Sequence, residues 1–193
     1  TEASDFSDAA AEKAMKLVKR HLLPAYQNPE DRKARQGMHN ASCLAGIAFS
    51  NSGLGLNHGM AHAIGAKLHI AHGRINAMLL PHIIEFNSDI NKHSKSQAKY
   101  LPAVERYKTV ARILGLSSYN TIMTVRNLVN WVQFMLKEMD IPLSVSQMGK
   151  ISKEEYFAEI ERMAEAALAD GCTATNPRVP SKADVMKIYE SLW

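Results

Sequence analysis

The amino-acid sequence predicts an all-α fold, a single domain of about seven to eight packed helices over residues 1–193. Three observations lead to this prediction. Apolar residues recur at spacings of three and four along most of the chain, strand-like alternation is nearly absent, and no strand precedes a glycine-rich turn. The apolar fraction of 46% is sufficient for a sizeable core.

Two helices are predicted in the first quarter of the chain. Ser7-Asp8 caps the first helix, and the second begins at Pro29 and ends at Ser52-Gly53. The second helix is rich in alanine and apolar on more than one side, so we expect it to be deeply buried.

The helical pattern continues through the rest of the sequence. A third helix begins near Asn57 and ends before Gly73, and a fourth runs over 75–86. A polar segment over 88–97 is predicted to be a loop. Helical periodicity then covers four further stretches, namely 102–114, 118–139, 153–168 and 181–192.

Charge and cysteine content exclude several classes of protein. The 23 Lys and Arg exceed the 19 Asp and Glu by four, but this excess is spread along the chain, which disfavours a nucleic-acid partner. Cys43 and Cys172 have no CxxC spacing, which indicates a reducing compartment. No stretch approaches the about 20 apolar residues of a membrane span, and no signal peptide is visible, so we expect a cytoplasmic protein without a membrane partner.

Four of the eight histidines lie within fifteen residues, at His58, His62, His69 and His72. Because each helical residue advances about 100°, His58 and His62 lie about 40° apart, and His69 returns to within about 20° of His58. His72 precedes Gly73, where we expect the third helix to end. Two or three imidazoles can therefore converge on one point, as a divalent transition metal requires.

The alternative is that these histidines serve only packing or solvation, as most helical histidines do. Gly59 and Gly65 favour the metal site, because glycine inside a helix costs up to about 1 kcal/mol relative to alanine and suits a close approach to the backbone. The HxxxH spacing lacks the glutamate of a metalloprotease, so that class is excluded. Four other histidines are interpreted as structural: His21, His39, His82 and His93.

The stretch around the histidines resembles a known enzyme signature. It reads GLGLNHGMAH over 53–62 and continues to His72-Gly73, with flanks NASCLAGIAFSN over 40–51 and LLPH over 79–82. These segments resemble the iron-containing, or group III, alcohol dehydrogenases, and the agreement covers nearly the whole chain. Within that family the sequence is most similar to the short-chain-alcohol (propanol or ethanol) enzymes.

The resemblance implies the helical, dehydroquinate-synthase-like half of a two-domain enzyme. In the intact enzyme an α/β half binds NAD(P), and the helical half carries Fe²⁺ or Zn²⁺. We expect 1–193 to be this helical metal-binding domain and to lack the nucleotide-binding half. We also expect it to lack two of four metal ligands, an Asp and a His that precede Thr1. The family further implies a cytoplasmic homo-oligomer, including enzymes housed in bacterial microcompartments.

The resemblance also implies residue roles. His58 and His72 match two metal ligands. His62 matches a histidine that lies near the nicotinamide, where it binds the cofactor region and has a suggested catalytic role as a proton relay. The implied reaction is metal-assisted hydride transfer between a short-chain alcohol or aldehyde and NAD(P). With half of the ligands, the chain alone is predicted to be inactive.

A second hypothesis is a non-catalytic helical interaction module that pairs with a partner domain. The apolar helix over 41–50 motivates it, because a domain separated from its other half should expose apolar surface. Self-association and binding of a hydrophobic dye would distinguish this module from a domain without a large exposed interface.

Overall fold

The computed structural model describes residues 2–90 and 102–193, in which every regular element is helical. The all-α prediction is confirmed, and none of the described helices combines the length and apolarity needed to cross a membrane. Most of the predicted loop over 88–97 lies outside the described residues. The elements are α1 Asp5–Gln27, α2 Arg32–Ser52, α3 Leu56–Leu68, α4 His72–Ser88, α5 Pro102–Ile113, α6 Thr121–Glu138, α7 Lys153–Ala169 and α8 Lys182–Ser191, with short 3₁₀ turns at Ser146–Met148 and Gly171–Thr175.

Side-chain caps set where the first two helices begin. Ser4, not Ser7, caps α1, and the two serines form a reciprocal capping box. Asp31 caps α2 by accepting a 2.9 Å hydrogen bond from the Ala34 N–H. Pro29 therefore lies in the turn before α2 rather than in its first turn.

The chain reverses between α3 and α4 within three residues. α3 ends at Leu68, His69 adopts a left-handed conformation with φ of 51°, and α4 begins at His72. The third helix ends before Gly73, as predicted, but it ends already at Leu68, so His72 belongs to the start of α4. The sequence gives no sign of the break after Leu68, because Ile70, which lies in the turn, is also buried in the core and continues the helical spacing of apolar residues.

Two apolar cores hold α3 to α8 together, and α4 contributes to both. The first core lies among α3, α4, α7 and α8 and contains Ile64 and Tyr156. The second lies among α4, α5 and α6 and contains Val125. The Tyr156 hydroxyl donates to the Tyr189 carbonyl (2.8 Å), and the Tyr189 hydroxyl donates to the Met60 carbonyl (2.9 Å). These buried bonds tie α7 and α8 to the helix that carries the histidines.

The hairpin of α1 and α2 packs beside this body, and α2 is not deeply buried as predicted. The buried positions of α2 are all small: Ala34, Gly37, Ala41 and Ala48. Two of its larger apolar side chains are exposed, Ile47 to 52% and Phe49 to 44%, and Met38 and Leu44 are half-buried. The prediction is wrong because only small residues of α2 are fully buried, whereas its larger apolar side chains stay partly or largely exposed.

Candidate metal and catalytic site

The α3–α4 turn brings three of the four predicted histidines together. The ring centroids of His58 and His72 lie 5.3 Å apart, those of His62 and His72 5.2 Å, and those of His58 and His62 6.2 Å. His69 is exposed at the turn, and its carbonyl accepts a 3.5 Å bond from the Lys150 ammonium group. The three clustered histidines therefore come from two helices, His58 and His62 from α3 and His72 from α4. Metal binding by His58 and His72 stays a prediction.

The start of α3 is anchored by the segment that follows α7. The Gly55 N–H donates to the Thr175 hydroxyl (3.1 Å), and the Leu56 N–H donates to the Asn176 amide oxygen (3.2 Å). These bonds satisfy N–H groups that a helix start leaves without partners. The Asn176 amide also donates to the Asn87 side chain of α4 (2.8 Å), so both histidine-bearing helices share one buried anchor.

Gly59 allows this anchoring segment to approach α3 closely. A Cβ atom at Gly59 would lie 2.1 Å from the Thr173 hydroxyl oxygen, which donates to the Ala167 carbonyl at 2.6 Å. The predicted close approach to the backbone is confirmed here, although the approaching group is part of the protein. At Gly65 the nearest atom would lie at 3.5 Å, an ordinary contact that does not require glycine.

The structure adds an acid partner for His62 that sequence reasoning missed. His62 Nδ1 lies 2.8 Å from an Asp170 carboxylate oxygen, and the other carboxylate oxygen accepts from the Cys172 N–H at 2.8 Å. Burial raises the pKa of Asp170, but hydrogen bonds from His62 and Cys172 outweigh it and lower the pKa overall. An ionised Asp170 assigns the proton to Nδ1 in neutral His62 and leaves Nε2 as an acceptor.

Of the other two imidazoles, that of His58 favours the neutral state. Burial, followed by the charges of His72 and His62, lowers the pKa of His58. A backbone hydrogen bond to Leu54 opposes this lowering without reversing it. The Asn76 amide group lies 3.1 Å from His72 Nε2, and Asn57 orients it by donating to its oxygen at 2.8 Å. Neutral imidazole nitrogens in this arrangement fit a divalent transition metal.

Comparison with known proteins identifies the family of the chain. The family whose sequence model matches residues 1–193 is described as "Fe-containing alcohol dehydrogenase family, C-terminal". The NADPH-dependent butanol dehydrogenase of Clostridium saccharobutylicum is 37% identical over 190 residues, which is 98% of this chain and 45% of that protein. The 1-propanol dehydrogenase PduQ of Salmonella typhimurium is 37% identical over 192 residues, 98% of this chain and 49% of that protein.

Solved structures share the fold over the full chain. An alcohol dehydrogenase from Oenococcus oeni superposes with a TM-score of 0.87 at 30% identity, covering 100% of this chain and 46% of that one. A 1,3-propanediol oxidoreductase superposes with a TM-score of 0.86 at 29% identity, covering 100% of this chain and 47% of that one. The chain therefore spans about half the length of these relatives.

Proposed function

The chain belongs to the Fe-containing alcohol dehydrogenase family, and from this premise we propose that it forms the metal-binding half of an NAD(P)-dependent enzyme that interconverts a short-chain alcohol and its aldehyde. The observation that carries the proposal is the convergence of His58, His62 and His72 from two helices. The similarity to enzymes named for butanol and 1-propanol supports a small linear alcohol as substrate.

In this proposal His58 and His72 hold a divalent metal, Fe²⁺ or Zn²⁺. Imidazole nitrogen suits both ions, and the lowered pKa of His58 keeps one donor unprotonated near neutral pH. When bound, the metal supplies Lewis-acid polarisation of the substrate oxygen. His58 and His72 would hold this metal next to His62, whose ring centroid lies 5.2 Å from that of His72.

His62 and Asp170 act as the proton-transfer pair of the proposed reaction. During alcohol oxidation His62 accepts the hydroxyl proton at Nε2, because Nδ1 is engaged by Asp170 at 2.8 Å. The ionised carboxylate stabilises the imidazolium and holds the orientation of the ring. The hydride step is the chemistry of the nicotinamide cofactor.

The nucleotide-binding half is assigned to a separate α/β region. The described part of this chain contains no strand that leads into a glycine-rich turn, which is the usual cradle of a dinucleotide. The relatives, about twice as long, have room for such a region. The choice between NAD and NADP, assembly into a homo-oligomer and a cytoplasmic location stay predictions.

The test is to restore a nucleotide-binding half. We would join the chain behind the amino-terminal half of the Clostridium butanol dehydrogenase and measure NADPH oxidation with butanal and Fe²⁺ or Zn²⁺. We expect turnover by the fusion and none by the 193-residue chain alone. Turnover by the isolated chain would refute the prediction that it is inactive alone.

Two variants of the fusion test whether its turnover depends on His58 and His72. His58→Ala with His72→Ala should lower the turnover of the fusion by more than about a hundredfold, beyond the loss usual for a residue outside the ligand set. His39→Ala, which removes an exposed histidine of α2, should leave turnover unchanged. Retained activity in the double variant would overturn the proposed metal site.

A further inference from the structure

A thiol completes a second group of metal-ligating side chains beside the histidine pair. A ring nitrogen of His62, a carboxylate oxygen of Asp170 and the sulfur of Cys172 all lie within 4.8 Å of one another. The set includes neither His58 nor His72. We propose that these three side chains form a second, separate site for a thiophilic divalent cation such as Zn²⁺.

The three donors are held in place before any ion arrives. One Asp170 oxygen accepts from the Cys172 N–H (2.8 Å) and the other faces His62 Nδ1 (2.8 Å). The Cys172 carbonyl accepts from the Thr175 hydroxyl (3.0 Å), which braces the Gly171–Thr175 turn. The Asp170 side chain is 22% and the His62 side chain 43% exposed, so one side remains open for an ion and a water ligand.

The donor types select the ion. One nitrogen, one oxygen and one sulfur suit Zn²⁺, whereas Mg²⁺ and Mn²⁺ prefer oxygen ligands alone. The His58 and His72 pair offers imidazole nitrogen only, so the thiol distinguishes the two sites.

Binding exchanges a proton for the ion. Burial, followed by the hydrogen bond and charge of Asp170, raises the pKa of the Cys172 thiol, so the thiol is protonated without a metal. The incoming cation forms a bond to sulfur and releases the thiol proton to solvent. At His62 the Nδ1 proton moves to Nε2 through solvent, which frees Nδ1 to bind the cation in place of its hydrogen bond to Asp170. Because that pair is also the proposed proton relay, the cation would block it, a consequence that rests on the proposed function.

The first experiment follows the thiolate directly. The purified chain is titrated with Co²⁺, and the near-ultraviolet sulfur-to-cobalt charge-transfer band is recorded before and after Zn²⁺ is added. We expect a band that Zn²⁺ abolishes, that Cys43→Ser retains and that Cys172→Ser lacks. His62→Gln should weaken Co²⁺ binding by about tenfold or more. A band that persists in Cys172→Ser, or no band in the wild-type chain, would overturn the site.

The His58→Ala, His72→Ala double variant tests separateness and should keep the band. Its loss would mean one shared site and would refute the proposal, whatever the outcome of the turnover assays. Should Cys172→Ser fail to fold by circular dichroism, alkylation of the wild-type chain gives the same answer. Zn²⁺ should slow alkylation of Cys172 and leave that of exposed Cys43 unchanged. Equal rates at Cys172 with and without Zn²⁺ would also refute it.

Discussion

The α1–α2 hairpin and the body formed by α3 to α8 are both helical, but different side chains hold them. The two helices of the hairpin pack through small residues. At Gly37 an added Cβ atom would lie 2.3 Å from the His21 ring of α1. The helices of the body pack through large apolar side chains such as Leu79 and Tyr156, which are both fully buried. Apolar content does not by itself predict burial, because the fully buried residues of α2 are all small, whereas Ile47 and Phe49 are exposed.

The difference also separates the two regions by role. The histidine cluster, Asp170 and Cys172 all belong to the body, where buried hydrogen bonds hold their backbone. The hairpin is joined to the body through α1, by the Asp8–Arg106 ion pair and by Lys19, which donates to the Leu114 carbonyl at 2.6 Å. A body packed on large apolar side chains and a hairpin packed on small ones predict unequal responses to matched substitutions.

The largest contrast is expected for aliphatic truncation. Leu79→Ala in the body should lower the free energy of unfolding by about 2–5 kcal/mol, because a fully buried side chain leaves a cavity. Ile47→Ala in the hairpin should change it by less than about 0.5 kcal/mol, since the side chain is 52% exposed. Urea unfolding followed by circular dichroism measures both. Equal losses would show that the two regions are packed alike.

Adding one methyl group should have opposite effects in the two regions. Gly59→Ala forces a Cβ against the Thr173 hydroxyl and should destabilise the body by about 1–3 kcal/mol. Gly46→Ala in α2 meets no atom within 4 Å and should stabilise its helix by about 0.5–1 kcal/mol. Thermal melting compares the pair, and a stabilising Gly59→Ala would contradict the close approach of Thr173.

The smallest contrast is the response of two helix caps to acid. The α8 capping box uses Asp184, and hydrogen bonds from Ser181 lower its pKa below the ordinary value of 3.8. Its contribution, about 1 kcal/mol or less, should be complete above that value and lost as the pH falls through the lowered pKa. The α1 box uses the Ser7 hydroxyl, which does not titrate in this range.

The measurement compares unfolding of wild type, Asp184→Asn and Ser7→Ala as the pH is lowered from neutral. The loss of unfolding free energy caused by Asp184→Asn, relative to wild type, should become smaller in acid. The loss caused by Ser7→Ala should stay constant. If the destabilisation by Asp184→Asn instead becomes larger in acid, the Asp184 carboxylate is not stabilised by its hydrogen bonds from Ser181.

Much of the candidate site could be predicted because its members lie close together in sequence. His58 and His62 share a helical face by geometry alone, and His72 follows within one short turn. Asp170 lies 108 residues beyond His62 and carries no local signal, so sequence reasoning missed it. Cys172 likewise carries no local signal, since its surroundings exist only after α7 packs against α3.

The helical class, most helix boundaries, the family signature and the histidine spacing follow from the amino-acid sequence, because backbone geometry and capping act over a few residues. Tertiary structure alone decided three features: that α3 ends at Leu68, that α2 presents Ile47 to solvent, and that Asp170 meets His62. Each depends on which surfaces pack together, and that choice is set by contacts between segments far apart in the chain.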